Sequence, residues 1–369
     1  MIKYIALSIF VFSILFAKAQ QLGVFQDSQQ KFYIFDKDHF YKAEHLPVKD
    51  YWIGKNYVAY IANNGRFNIY YQGVKHEITS ANVSVRATDN FMAYFIDEQL
   101  WIFNGSEVKF LEPWVKTDNS TTDIRSFSSF VVSDNILAFT NSFNRFYVYE
   151  NGGANEIELW DVKRLDAGEN IIAYVNDNDF FKVYYKGKKY EIEDITPQSF
   201  QANKDIVAYV DDFGTFKVWH KGKMAELQDN RPLEYCTGEN MVAYTDDMNQ
   251  FVCYYEGVLY DILDYTPNKI IMQDNVLVYN DNRNYTHVFY KGKNIRITPY
   301  AARNIIVNDD FVVFQDLDGY IKAFSKGVII DISNEIAIDF EVFNNVVIYR
   351  PNEYTWKAVY DGEVFSYLP

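Results

Sequence analysis

Several residue types that usually announce a function are scarce in this chain. Of its 369 residues only two are cysteine, Cys236 and Cys253, so disulfide stapling does not hold the fold. Five are histidine (His39, His45, His76, His220 and His287), and no two stand at a metal-ligand spacing such as His-x-x-x-His. No Gly-x-Ser-x-Gly elbow and no glycine-rich phosphate loop occurs. Basic residues are outnumbered, 35 against 50 acidic, giving a formal net charge of -15. That balance argues against nucleic acid or an anionic membrane as the main partner. No segment keeps a 3.6-residue apolar period, so helix is expected to be nearly absent. No constellation points to catalysis, a metal or a cofactor, and the reading leans away from an enzyme.

The first segment stands apart. Met1 to Lys3 is short and basic, Tyr4 to Phe16 is a mostly apolar run, and Ala17-Lys18-Ala19 is a small-x-small site. This pattern predicts a signal peptide over residues 1–19, cleaved before Gln20. The run is shorter than the ~20 residues that span a bilayer. No cysteine lies near the site to carry a lipid. The expected mature chain, 20–369, has no membrane-spanning segment and is secreted or periplasmic. Loss of Lys3 and Lys18 takes its charge to -17.

What the chain has in abundance is aromatic residues, 31 Tyr, 30 Phe and 6 Trp, and they recur in register. A motif of Asn/Asp, two aliphatics, a small residue and an aromatic begins at Asn56, Asn90, Asn135, Asn170, Asp205, Asn240, Asn275, Asp310 and Asn345. A degenerate copy begins at Gln21. The spacing is 35 almost throughout, with 34 once and 45 once. Turn glycines Gly187, Gly222, Gly257, Gly292, Gly327 and Gly362 repeat the same 35. Ten such units fill the 350 residues after Ala19.

Each unit reads as four strands. In the sixth copy these are Ser199–Ala202, Asp205–Val210, Phe216–His220 and Met224–Gln228, separated by polar and glycine turns. Pro197, Pro232 and Pro267 follow the fourth strand, where a missing N–H does no harm. Four antiparallel strands per repeat of this length predict an all-β β-propeller of ten blades. One ring is favoured over two smaller propellers, because no linker appears near residue 195. The aromatic column from Phe25 to Tyr349 is expected to be core, packed beside alanines such as Ala173 and Ala208. Because the chain begins at a second strand and stops in a fourth, one blade should be a strand short.

The stretches DIVAYVDDFGTFKVWHKGKMAEL and NIIAYVNDNDFFKVYYKGKKYEI resemble the TolB-type, WD-like propeller repeats of bacterial secreted proteins. The resemblance implies the fold and carries over no functional residue. The Ser-Pro-Asp-Gly turn of those repeats and the Gly-His and Trp-Asp marks of WD repeats are missing.

Candidate site residues come from the turns. Those between second and third strands are acidic, with Asp177, Asp211, Asp212, Asp246, Asp247 and Asp316 on one face. The lysine-rich turns at Lys186, Lys221, Lys291 and Lys326 should lie on the other, giving a charge-polarised disc. The full Asp-x-Asp-x-Asp-Gly calcium loop is absent. The one break in the period adds about ten residues after the third copy, with Trp114, Lys116 and Asp118 emerging on the acidic face. Cys236 and Cys253 fall on strands flanking a common neighbour, ~9.5 Å apart and beyond disulfide reach. The function expected is a non-catalytic, exported and monomeric scaffold that binds a protein or polysaccharide partner on the acidic face or in the channel. A carbohydrate-binding or carbohydrate-active propeller is the alternative, and a metal-dependent hydrolase or lyase a weaker one.

Overall fold

The computed structural model describes residues 21–97, 99–112, 130–141 and 143–368. They form 39 strands and no helix. The strands make ten antiparallel sheets, nine of four strands and one of three. Each sheet is a blade, with its strands in chain order from the axis outward. In blade 6 they are Ser199–Asn203, Ile206–Val210, Phe216–His220 and Lys223–Gln228, within a residue of the repeat-based reading.

The repeat motif explains the packing. Blades 5 to 8 bury every residue of the second strand: Ile171–Val175, Ile206–Val210, Met241–Thr245 and Val276–Asn280. Such a strand has no polar face because a blade packs on each side of it. Core clusters therefore join neighbouring blades rather than filling single ones, as where Ile171, Val183 and Phe181 meet Val207 and Tyr209. The aromatic column is core throughout, and three of its phenols reach a carboxylate of the blade before, whereas Tyr279 donates to Asn294 of its own blade at 2.8 Å. Tyr174 donates to Glu158 at 2.8 Å and Tyr209 to Glu193 at 2.8 Å. Lys182 and Lys217 meet the same two carboxylates at 3.2 and 3.0 Å.

A second joint recurs at the end of several third strands. Tyr185 donates to Asp205 of the next blade at 2.7 Å, and Tyr290 to Asp310 at 3.1 Å. His220 takes this place in blade 6, its Nε2 2.9 Å from Asn240 and its Nδ1 3.1 Å from the Tyr254 hydroxyl. It replaces a packed ring, as its register suggests.

Blade 1 is the short one, with strands Leu22–Gln26, Phe32–Asp36 and His39–Glu44. No strand is shared between chain ends among the described residues. Blade 1 instead lies face to face with blade 10, where Phe25 packs on Trp356 and Tyr367 at ring separations of 4.9 and 5.3 Å. Gln21 donates to the Tyr360 hydroxyl, at the positions that join blades 5 and 6 and blades 8 and 9. The inner strands of blades 2 and 10 meet across the gap, where Tyr51 donates to Glu341 at 3.3 Å.

Cys236 and Cys253 flank Ala243 on either side, so a strand separates them. Burial pushes the Cys236 thiol up to about 12 and Cys253 well above its ordinary value, which disfavours the thiolate of both. No helix among the described residues is long and apolar enough to cross a membrane.

Candidate functional site

The turns between second and third strands share one face with the blade-to-blade connections. Most are five-residue loops opened by Asp or Asn. That first side chain accepts N–H bonds from the residues two and four positions on. Asp211 takes them from Phe213 and Thr215, both at 2.9 Å. Asp246 takes them from Met248 and Gln250 at 2.8 and 2.7 Å, and Asp316 from Asp318 and Tyr320 at 3.1 and 2.9 Å. The fourth residue is left-handed, as at Gly214 (φ 94°) and Asn249 (φ 68°), which explains the Gly and Asn found there.

The predicted residues thus divide into two groups. Asp211, Asp246 and Asp316 cap their own turns, and Asp211 and Asp316 are buried. Burial alone would raise the Asp211 pKa, but Lys217 at 2.8 Å and the turn amides hold it below the usual carboxylate range. Asp177, Asp212 and Asp247 occupy the next position and are exposed. Trp114, Lys116 and Asp118 lie outside the described residues, between the ends Glu112 and Phe130 of blades 3 and 4. Among the described residues no group of three His, Cys, Asp or Glu side chains has the arrangement of a metal site.

Sequence reasoning missed the apolar side chains at the tips of these loops. Phe213 is 90% exposed, Met248 75% and Phe143 74%. All three occupy the loop's third position, where other blades carry Gln29, Asn64, Asn178 or Arg283. Leu233, Leu159 and Trp160 in the connections add to the same face. Beside blade 4, Phe143, Leu159, Trp160 and Tyr147 line an open depression of about 770 Å³. Arg145 and Tyr147 both meet Glu156 there, at 2.9 and 3.1 Å. The signal was present in the sequence, as apolar residues inside turns that otherwise demand polar ones.

The opposite face differs from the expected lysine surface. Its outer turns do carry Lys186, Lys221, Lys291 and Lys326. Around the axis, however, the residues before each register Asn or Asp are mostly carboxylates: Asp89, Asp134, Glu169, Glu239, Asp274 and Asp309. Two lysines sit among them. Lys204 joins Glu169 and Glu239 at 2.9 and 3.0 Å, and Lys55 joins Asp89 and Asp309 at 3.2 and 3.4 Å. Burial would lower the Lys204 pKa, but the two carboxylates outweigh it and raise it. Asp274 is pushed up to about 6 by burial and by the charge of Asp309, whose N–H it accepts at 2.9 Å. The disc is therefore not cleanly polarised, because acid gathers at the channel mouth of the lysine face as well.

A closed ring of ten blades, sealed face to face, defines the class as a β-propeller of unusually high blade number. The chain belongs to the 10-bladed beta propeller domain family, whose model matches residues 16–365. The likeness to WD-type propellers holds at the level of fold.

No curated protein matches the chain. Among solved structures it is similar to a computationally designed protein, Ika8, at 15% identity and TM-score 0.34, covering 78% of this chain and 95% of that one. It is similar to the tricorn protease at 12% identity and TM-score 0.32, covering 92% of this chain and 46% of that one. It thus spans about half the length of that protease. The CRINKLY WD40 ectodomain of the Arabidopsis thaliana receptor kinase ACR4 is similar at 10% identity and TM-score 0.36, covering 66% and 94%. Likenesses of this order carry no statement about activity.

Proposed function

We propose that this propeller is a non-catalytic, exported scaffold that binds a protein partner through its second-to-third-strand turn face. The observation that carries the reading is the set of apolar tips Phe143, Phe213 and Met248, held out on loops whose own chemistry does not need them. The loops that present them are held by their own capping Asn141, Asp211 and Asp246, which lowers the entropy lost on contact. Exposed Asp177, Asp212 and Asp247 surround them with negative charge. A matching partner has apolar recesses rimmed by Lys or Arg. Export is supported by the basic, apolar and small-x-small pattern of residues 1–19, and a bacterial secreted origin by the TolB-like repeats. A monomer is the expected assembly.

The test compares wild type with the triple variant Phe143→Ser, Phe213→Ser, Met248→Ser in crosslinking pull-downs from the source cell envelope. A specific partner should be lost from the variant and weakened by salt. Retention of every partner, or turnover of a substrate by wild type, overturns the reading. Export is checked by N-terminal sequencing of the recovered protein, expected to begin at Gln20.

The aromatic depression beside blade 4 supports a second reading, a glycan platform built on Trp160, Phe143 and Tyr147. A glycan array with hits abolished by Trp160→Ala favours it over the protein partner.

A further inference from the structure

A cavity of about 560 Å³ opens between blades 9 and 10 on the lysine-turn face, and its origin can be traced to two side chains. At the end of the third strand, Tyr71, Tyr185, His220, Tyr255 and Tyr290 each place a ring at the junction with the next blade. Blade 9 has Ser325 in that register, paired with Phe311 as Tyr290 is with Val276. One residue earlier, blades 2, 5, 6, 7 and 8 carry Tyr70, Tyr184, Trp219, Tyr254 and Phe289. Blade 10 has Val359 there, paired with Val347 as Trp219 is with Val207. Both rings that fill a junction are thus missing at the same junction. Ser325 and Val359 line the resulting space, and the half-buried Phe311 opposite Ser325 does not refill it.

The lining is amphipathic. Its walls are Phe311, Ile332, Val347 and Val359, and its polar rim includes Ser325, Asn345, Lys326 and Asp361. Four carboxylates line it against two ammonium groups. Lys55 is held by Asp89 and Asp309. Asp310 accepts from Tyr290, and Asp331 is paired with Lys322 at 2.8 Å. Asp361 has no ion-pair partner among the described residues. Lys326 likewise has no ion-pair partner among the described residues, so the rim keeps its excess of four carboxylates over two ammonium groups, and apolar walls under such a rim are the features of a small-molecule site for a cation.

We propose that this junction binds a small amphipathic cation, an amine on an aromatic or aliphatic body, with the body between Val347, Val359 and Phe311 and the ammonium on Asp361. The site is separate from the turn face and does not depend on the partner proposed there.

The test is titration calorimetry and ligand-observed NMR with phenethylamine and with 3-phenylpropionate. The amine should bind saturably and at least tenfold more tightly than the carboxylate. Ser325→Tyr combined with Val359→Tyr supplies the two rings found, for example, between blades 5 and 6, so it should cut amine binding at least tenfold and raise the melting temperature. Asp361→Lys should also cut it tenfold and still fold, because Lys186, Lys221, Lys291 and Lys326 occupy that turn position at the same φ near 50°. Absence of saturable amine binding, equal binding of the two probes, or unchanged binding in Asp361→Lys overturns the proposal. The variant Phe143→Ser, Phe213→Ser, Met248→Ser should bind the amine as wild type does, which separates the two sites.

Discussion

Tyrosines at one repeat position do different work depending on what the preceding blade offers. The Tyr209 hydroxyl donates to Glu193, which also holds Lys217. The Tyr94 hydroxyl is buried with no hydrogen-bond partner. Tyr209→Phe should therefore cost about 1–1.5 kcal/mol, whereas Tyr94→Phe should be neutral or stabilising by up to ~1 kcal/mol. Urea midpoints of the two variants check this, and equal losses would contradict it. The column itself was legible in the sequence, because burial repeats with the period. The Glu partners were not, since they sit one blade back and vary with it. Asp274 gives a pH-dependent case. Its folded pKa is raised to about 6, so its contribution to stability is complete below its unfolded value near pH 4 and falls as pH rises through 6. Asp274→Asn keeps the bond from the Asp309 N–H. It should gain about 1–2 kcal/mol near pH 7.5, after allowance for water at the channel mouth, and nothing near pH 4. Denaturation midpoints across that range measure it.

At the scale of the strand and the turn, the 35-residue period placed all four strands of blade 6 to within a residue. Alternation and turn chemistry are local, so a single sequence contains them. The candidate site was half legible for the same reason. Asp211 and Asp316 could be placed in turns, but their capping bonds depend on loop conformation. Phe213 was overlooked because one aromatic among many carries no period of its own. Close approaches between blades were hidden too. Gly168 ends an inner strand directly against blade 6, and a Cβ there would lie 2.2 Å from the Asn203 carbonyl carbon. No flexible tip can move aside, since the neighbour is backbone. Gly168→Ala should destabilise by about 2–3 kcal/mol through displacement of the two turns. Thermal unfolding would show it, and an unchanged melting temperature would mean that the inner turns are looser than they look.

The whole ring poses the question that its repeats could not answer, which is how it seals. Period and strand count predicted one short blade, and blade 1 has three strands. The means of closure depends on contacts between residues more than 300 positions apart, which no local pattern encodes. Phe25 lies within 6 Å of Tyr33, Phe40, Trp356 and Tyr367, so it is central to that contact. Phe25→Ala should cost about 3–5 kcal/mol. It should also speed hydrogen exchange in blades 1 and 10 before the others, whereas uniform exchange around the ring would refute a weak seam.

The Gln21–Tyr360 contact uses the same positions as Tyr185–Asp205 and Tyr290–Asp310. Closure therefore needs no dedicated part. A ring assembled from interchangeable joints can lengthen by duplication of one unit, and only the fit of the circle limits the count. A blade number above the usual range then requires no new closing device, only a unit whose curvature fits the larger circle.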